Sequence, residues 1–118
     1  MTECYDQYGD WQSFGYKRNV KGKNYLGEFD VREEDDRFEI WSLKIFERYQ
    51  RKGYATKMLT EFLSQFKSSK PIVLYVYKIN EVAIHLYEKV GFKIIGECSF
   101  EPRAYTMQYK GVSAENVH

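Results

Sequence analysis

The sequence predicts a mixed α/β (α+β) domain with the element order β-β-β-α-β-α-β-β. Phe38 to Phe46 is rich in aromatic and β-branched residues and is apolar on both faces, which is typical of a central strand covered above and below. An amphipathic helix follows, and Ile72 to Tyr77 is then a short apolar run typical of a buried strand. This succession requires a crossover, and we expect antiparallel strands before and after it.

The chain before the central strand predicts two strands and their turns. Residues 1–10 are polar, and we expect them to be a loose end. Trp11–Arg18 and Tyr25–Arg32 are predicted strands, joined by a turn at Asn19–Asn24, where glycine and asparagine suit unusual backbone angles. The acidic run Glu33–Asp36 predicts a solvated turn that leads into the central strand.

Apolar residues recur at helical spacing after the central strand and define one face of the first helix. These residues are Ala55, Met58, Leu59, Phe62, Leu63 and Phe66. The helix ends at Ser68–Pro71, because proline cannot continue it. A second helix is predicted at Glu81–Val90. Two strands follow at Phe92–Glu97 and Ala104–Tyr109, joined by a turn at Glu101–Arg103, and Gly111–His118 is a loose tail. Gly91 stands where a glycine C-cap belongs.

Length and composition exclude several classes of protein. A length of 118 residues suits a single domain, 1–118, and a net charge of only +1 gives no electrostatic case for nucleic acid. Cys4 and Cys98 have no metal-ligand spacing, so we expect no metal site and a reduced, cytoplasmic protein. The polar start is unlike a signal peptide, and no apolar run approaches the roughly 20 residues of a membrane span.

A polar, basic turn, Glu47–Tyr54, lies between the central strand and the first helix. The first N–H groups of a helix have no partners within it, and the helix dipole favours an anion there. Gly53 allows the backbone to approach a ligand closely. The cations around it are Arg48, Arg51, Lys52 and Lys57. The pattern predicts a small molecule that bears phosphate, although a solvated turn containing glycine produces the same pattern.

Two motifs coincide with these elements. Gln50-Arg51-Lys52-Gly53-Tyr54-Ala55 follows a strand and opens a helix, and thirty residues later Asn80 and Ala83 precede Leu86-Tyr87-Glu88-Lys89-Val90-Gly91-Phe92. The first motif resembles the Q/R-x-x-G-x-G/A pyrophosphate loop of the GNAT superfamily of acyl-CoA-dependent N-acetyltransferases. The second resembles the N-x-x-A-x-x-x-Y-x-x-x-G-F signature of the same superfamily. The resemblance covers roughly Phe38 to Tyr109 and implies a GNAT-like, mostly antiparallel mixed sheet flanked by helices.

The resemblance implies acetyl-CoA as the acyl donor. In such enzymes the loop amides hold the pyrophosphate, and the end of the central strand pairs with the pantetheine arm and supplies an amide to the oxyanion. The corresponding coenzyme-binding positions are Leu43, Lys44, Ile45, Gln50, Arg51, Lys52, Gly53, Tyr54, Ala55, Thr56 and Asn80. Asn80 is also suited to capping the second helix. Tyr87 matches the family's tyrosine near the thiol, so it is either a general acid or a packing residue on the apolar stripe of its helix.

The resemblance also suggests a general base. Glu39 lies eleven residues before Gln50, as does the catalytic glutamate of some family members. Its predicted strand face is shared with Trp41, Leu43 and Ile45. Partial burial on that face would raise the pKa of Glu39 and make it a better base. The alternatives are that Glu39 is a carboxylate salt-bridged to Arg37, and that Glu28 on the preceding strand is the base.

The function that these observations imply is direct transfer of an acetyl group from acetyl-CoA to a primary amine in a ternary complex. Family members usually begin with a strand and two helices that shape the acceptor pocket, whereas here only about ten polar residues precede Trp11. We therefore expect either an open cleft for a large acceptor, such as a protein lysine or N-terminus, or completion of the cleft by a second subunit in a homodimer. The alternative function is a non-catalytic acyl-CoA-binding regulator that acts through a partner protein.

Overall fold

One seven-stranded sheet contains every strand of the computed structural model, which describes residues 1–17 and 24–111. The elements in chain order are β1 (Thr2–Tyr8), β2 (Trp11–Tyr16), β3 (Gly27–Glu33), β4 (Phe38–Ile45), a short 3-10 helix (Glu47–Tyr49), α1 (Tyr54–Gln65), β5 (Ile72–Tyr77), α2 (Glu81–Val90), β6 (Phe92–Cys98) and β7 (Glu101–Tyr109). The strand order across the sheet is β1-β2-β3-β4-β5-β7-β6, and only β4 and β5 pair in parallel. The predicted mixed, mostly antiparallel sheet and its element order are confirmed, with one further strand in front.

That further strand corrects the prediction of a loose N-terminus. β1 pairs with β2 from Thr2 to Tyr8, with one register shift between Cys4 and Asp6, and the hairpin turns at Gly9, whose φ of 58° is left-handed. The amide of Thr2 donates to the Glu61 carboxylate of α1 at 2.5 Å, which fastens the strand to the helix. β1 is an edge strand with mostly exposed side chains, so it lacks the apolar alternation that reveals a strand in sequence.

Two sequence predictions fall on residues outside the described part of the chain. The predicted turn at Asn19–Asn24 is described only at its last residue, and the predicted loose tail only at Gly111.

The turn predicted at Glu101–Arg103 is wrong, because β7 already begins at Glu101 and the hairpin turns at Ser99 and Phe100. The predicted C-cap is confirmed, since the Gly91 amide donates to the carbonyls of Tyr87 and Glu88.

Both helices pack on the same face of the sheet and share one core. Phe62 of α1 contacts the ring of Phe29 edge-on, with 4.9 Å between centroids. Buried residues of α2, such as Ile84, belong to the same cluster as Leu74 of β5 and Met107 of β7. This face, which we call the helix face, therefore carries most of the apolar burial that stabilises the fold.

The opposite face of the sheet, which we call the open face, is not covered by any helix of the described residues. It carries Glu39, Trp41 and Tyr75, while their neighbours Ile40 and Leu74 point into the core. The expectation that the central strand is covered on both faces by other elements is therefore wrong. The apolar residues on the open face cover one another and are covered in part by Phe100.

A β-bulge divides β4 into two halves that differ in side-chain direction. Glu28 faces Lys44 and Asp30 faces Trp41, so one residue of β3 opposes two of β4. Ser42 has a φ of 55° within this bulge. Because the extra residue shifts the alternation, Leu43 and Ile45 pack against the core beyond the bulge, whereas Trp41 lies on the open face before it.

The two parallel strands diverge beyond the bulge. β4 and β5 pair only over Phe38–Ile40 and Ile72–Leu74, so their carboxyl-terminal halves leave a wedge between them. The edge of β4 that faces this wedge has no strand partner within the described chain. Such an edge offers N–H and C=O groups to an extended ligand. No helix among the described residues is long and apolar enough to cross a membrane.

Candidate functional site

A groove of about 420 Å³ opens on the helix face, where the wedge meets the N-termini of α1 and α2. β4 contributes its last three residues, α1 contributes its first turn, and α2 contributes one side. The lining residues are Leu43, Lys44, Ile45, Tyr49, Gln50, Arg51, Gly53, Tyr54, Ala55, Asn80, Val82, Ala83, Leu86 and Tyr87. Most of the positions that the sequence predicts for the coenzyme therefore lie in one groove.

The loop before α1 is bent tightly toward this groove. Gly53 is the N-cap of α1, with φ 79°, and a Cβ added there would meet no atom within 4 Å. Arg51 also has a left-handed φ, 64°, which is uncommon for a residue with a side chain. The Gln50 side-chain amide donates to the Ile45 carbonyl at 2.9 Å and ties the loop to the end of β4. Since glycine has no side chain, the N-cap position of α1 makes no side-chain hydrogen bond to the first turn.

The charge around the loop is positive and is not balanced locally. No carboxylate of the described residues lies within 4 Å of the cationic groups of Arg48, Arg51, Lys52 or Lys57. Arg48 and Lys57 instead lie over the rings of Tyr49 and Tyr54, at 5.6 and 5.5 Å from the ring centroids. Together with the helix dipole, this charge makes the loop a favourable site for a phosphate-bearing anion.

Asn80 and Tyr87 lie on the α2 side of the groove. The Asn80 side-chain oxygen accepts from the Ala83 amide at 3.2 Å, so its helix-capping role is confirmed, and its side-chain NH₂ group remains available as a donor. Tyr87 is half-buried and contacts the Phe92 ring edge-on. Burial raises the pKa of Tyr87, which keeps its hydroxyl protonated at neutral pH.

Glu39 lies on the open face rather than in the groove, and its carboxylate accepts four hydrogen bonds. One oxygen accepts from Arg37 Nε at 3.0 Å, Arg37 Nη2 at 2.9 Å and the Tyr75 hydroxyl at 2.5 Å; the other accepts from Trp41 Nε1 at 3.0 Å. The side chain is only 3% exposed. The alternative prediction of a carboxylate salt-bridged to Arg37 is thus confirmed.

The prediction that the pKa of Glu39 is raised is wrong. Burial alone would raise it, but the hydrogen bonds from Tyr75, Trp41 and Arg37 outweigh burial and hold the pKa of Glu39 below its usual range. Burial, together with the hydrogen bond to Glu39, raises the pKa of Tyr75 to about 12. The prediction that Glu39 shares a face with Leu43 and Ile45 is also wrong, because the bulge at Ser42 separates them.

Glu28, the other candidate base, lies at the bulge on the open face. Its carboxylate accepts from the Tyr5 hydroxyl at 3.2 Å and lies 3.3 Å from Lys44 Nζ. Glu28 lines a small cavity of about 350 Å³ together with Ser42 and Leu43, next to the part of β4 that borders the groove. With two contacts rather than four, its carboxylate retains capacity to accept a proton or a water hydrogen.

Comparison with known proteins agrees with this geometry. The sequence matches the acetyltransferase (GNAT) family over residues 3–92, which is well over half of the chain. The chain belongs to the GNAT family. The GNAT chain is 34% identical over 91 residues to a spermine/spermidine N(1)-acetyltransferase of Bacillus subtilis, with 72% of this chain and 60% of the relative covered.

Solved structures share the same fold. A chimera of the spermidine N-acetyltransferase SpeG from Vibrio cholerae superposes with a TM-score of 0.69 at 24% identity, covering 85% of the GNAT chain and 69% of the other. The ribosomal-protein-S18-alanine N-acetyltransferase of Escherichia coli gives 0.68 at 20% identity, covering 95% and 77%. The GNAT chain spans only 60% of the length of these curated relatives.

The sequence identified much of the groove of this GNAT protein and missed one side of it. Of the predicted site residues, Glu39, Lys52 and Thr56 are absent from the described lining of the groove. The residues that were missed are Tyr49, Val82, Ala83 and Leu86. Ala83 and Leu86 belong to the apolar stripe of α2, whose helical spacing indicates burial but cannot distinguish a core from a ligand.

Proposed function

We propose that this GNAT protein is an N-acetyltransferase that transfers an acetyl group from acetyl-CoA to a primary amine in a ternary complex. The observation that supports the proposal most is the groove, whose lining includes ten of the thirteen predicted site residues. In the proposal the coenzyme pyrophosphate binds at the Gly53 loop, where cations and helix N–H groups favour it. The pantetheine arm lies in the wedge and bonds to the free edge of Leu43–Ile45.

The reaction is direct attack on the thioester. The neutral amine nitrogen forms a bond to the carbonyl carbon, a β4 amide stabilises the resulting oxyanion, and the carbon–sulfur bond then breaks. The amine loses one proton and the departing thiolate gains one. Tyr87 supplies the proton to sulfur, a role supported by its place in the groove.

The proton of the amine goes to Glu28 through a water molecule. Glu39 is the weaker candidate, because Arg37, Trp41 and Tyr75 donate four hydrogen bonds to its carboxylate, three of them to one oxygen. These donors stabilise the charged carboxylate and so disfavour its protonation. Glu28 lies beside the bulge next to the groove and has fewer partners, which supports its assignment as the base.

The acceptor is a primary amine whose class the relatives suggest only in part. Two curated relatives of Bacillus subtilis are named for spermine, one of them also for spermidine, and one structural neighbour is named for the alanine of a ribosomal protein. An acceptor panel therefore needs polyamines, simple amines and peptides with free N-termini or lysines.

Titration calorimetry of acetyl-CoA, followed by measurement of thiol release with this panel, tests the proposal. Binding together with amine-dependent thiol release would support an acetyltransferase. Binding without release across the whole panel would favour the regulator that binds acyl-CoA without catalysis. Failure to bind acetyl-CoA would overturn both functions, because each depends on the groove.

A further inference from the structure

A second pocket, of about 390 Å³, lies on the open face of the sheet. We call it the aromatic pocket. Its principal lining residues are Trp41, Tyr75, Tyr77, Cys98, Phe100 and Glu101. With one carboxylate among mostly aromatic and apolar groups, this lining is typical of a small-molecule site rather than of a solvated surface.

The aromatic pocket and the groove lie on opposite faces of the same wedge. On β4, Trp41 lines the pocket and Leu43 lines the groove, with only the bulge between them. On the β5 side, Tyr77 lines the pocket and Asn80 lines the groove. Because β4 and β5 are unpaired here, no hydrogen-bond ladder between these two strands separates the pocket from the groove.

Three rings form the wall of this pocket. Trp41 and Tyr75 lie 5.3 Å apart between centroids, and Phe100 lies 4.9 Å from Tyr75 and 6.1 Å from Trp41. The Glu39 carboxylate accepts from both Trp41 and Tyr75, which fixes two of the rings. Phe100 stands in the β6–β7 turn and is 60% exposed, so a large apolar surface remains to be covered there.

The carboxylates around the pocket already have cationic partners within the described chain. Glu101 pairs with Arg103 at 2.5 Å, and Glu97 pairs with Lys78 at 2.6 Å. Glu39 pairs with Arg37, as described above. A polyamine carries several ammonium groups that each need a counter-charge, and this pocket offers them no unpaired carboxylate.

We propose that the aromatic pocket binds the acceptor and that this acceptor is a primary monoamine with an aromatic or bulky apolar body. This inference rests on the proposed function, because it assigns the acceptor side of the same reaction. The body of the amine packs against the outer surfaces of the Phe100 and Trp41 rings, and its nitrogen points through the wedge toward the thioester. Ring-to-ring packing favours an aromatic body over a short alkyl chain.

The test compares 2-phenylethylamine, propylamine and spermidine as acceptors with acetyl-CoA. We expect kcat/KM for 2-phenylethylamine to exceed that for either of the others by about tenfold or more. Phe100→Ala should raise KM for 2-phenylethylamine about tenfold, leave kcat within about threefold and leave KM for acetyl-CoA unchanged. The matched control is Tyr8→Ala, which removes an aromatic ring that is 84% exposed in the β1–β2 hairpin.

Two results would overturn the inference. One is turnover of spermidine or propylamine as efficient as that of 2-phenylethylamine. The other is a change in KM for Phe100→Ala no larger than that for Tyr8→Ala. If no amine is acetylated, the proposed function is refuted, but the pocket can still be tested. Calorimetry of 2-phenylethylamine with the protein saturated with coenzyme A then shows whether the pocket binds the amine. Binding that Phe100→Ala weakens would support the pocket, whereas no binding, or equal binding by the variant, would refute it.

Discussion

Replacement of Glu39 by glutamine distinguishes a positioning residue from a catalytic base. The carboxylate holds Arg37, Trp41 and Tyr75 through four hydrogen bonds on a side chain that is almost fully buried. Glutamine has nearly the same shape but accepts at only one oxygen. If that oxygen keeps the Arg37 and Tyr75 bonds, the new NH₂ group faces Trp41 Nε1. Both of these groups are hydrogen-bond donors, so the bond from Trp41 is lost.

The expected cost follows from these bonds. Losing one hydrogen bond costs about 1 kcal/mol, and the remaining three lose their charge assistance at about 1 kcal/mol each. The sum is about 4 kcal/mol, within the range of about 3–5 kcal/mol for breaking a buried ion pair. At about 2.1 cal/mol/K of unfolding entropy per residue, a chain of 118 residues has about 0.25 kcal/mol/K. The Tm of Glu39→Gln should therefore fall by about 16 °C.

The stability difference should also depend on pH. The pKa of Glu39 is lower in the folded state than in the unfolded chain. Its stabilising contribution is therefore complete above the unfolded value of about 4.3 and is lost as the pH falls through the folded value. Glutamine has no such titration, so the Tm gap between wild type and Glu39→Gln should narrow as the pH falls below about 4.

Thermal unfolding followed by circular dichroism, with a pH–rate profile below the variant's Tm, measures both effects. Glu97→Gln is the matched control, because it changes the same group in an exposed pair with Lys78 and should cost no more than about 1 kcal/mol. A melting temperature for Glu39→Gln within about 2 °C of wild type would refute the network. Loss of turnover and of the limb of the pH–rate profile that reports the base, in a protein still folded, would instead make Glu39 the base and displace Glu28.

Three further predictions concern the groove. Gly53→Trp should abolish acetyl-CoA binding in calorimetry while Gly9→Trp, also at a left-handed glycine with open space around it, retains binding; equal binding by both would refute the loop assignment. Tyr87→Phe should lower kcat about 10²-fold with coenzyme binding intact, whereas Tyr109→Phe should leave kcat unchanged. An unchanged kcat for Tyr87→Phe would show that Tyr87 is not the general acid. Asn80→Asp should keep the helix cap and the Tm but weaken coenzyme binding in calorimetry. Asn80→Ala should weaken binding as well and should also lose about 1 kcal/mol of stability in thermal unfolding. Full coenzyme affinity in Asn80→Asp would exclude a donor role for the Asn80 amide.

Much of the groove was predictable because its signals are local. The basic turn between a strand and a helix contains Gly53 at the N-cap, and the second helix begins at a capping Asn80 and ends at Gly91. Each of these helix boundaries depends on the backbone preferences of a few neighbouring residues, so it can be predicted from the sequence alone. The spacing of the two motifs then follows from the length of one strand and one helix.

The features that the sequence did not reveal depend on contacts between distant residues. β1 is a polar edge strand whose place is fixed by its hairpin with β2 and by the Thr2–Glu61 hydrogen bond. The hydrogen bonds of Glu39 could not be predicted either, because Tyr75 lies 36 residues away in the sequence and contacts Glu39 only through the pairing of β4 with β5. A carboxylate on an apolar strand predicts burial, but the sign of its pKa shift depends on the donors that the fold brings to it.

The bulge at Ser42 explains how one strand can serve two sites. In a regular strand, Trp41, Leu43 and Ile45 would share a face, and an aromatic wall would then compete with the coenzyme for the same groove. The extra residue turns Leu43 and Ile45 to the helix face and leaves Trp41 on the open face. The left-handed φ of Ser42 is the conformational cost of that switch, of the order of 1–2 kcal/mol for a residue other than glycine. A strain of this size persists where the surrounding contacts favour it, and here it separates the proposed coenzyme side from the proposed acceptor side of the reaction.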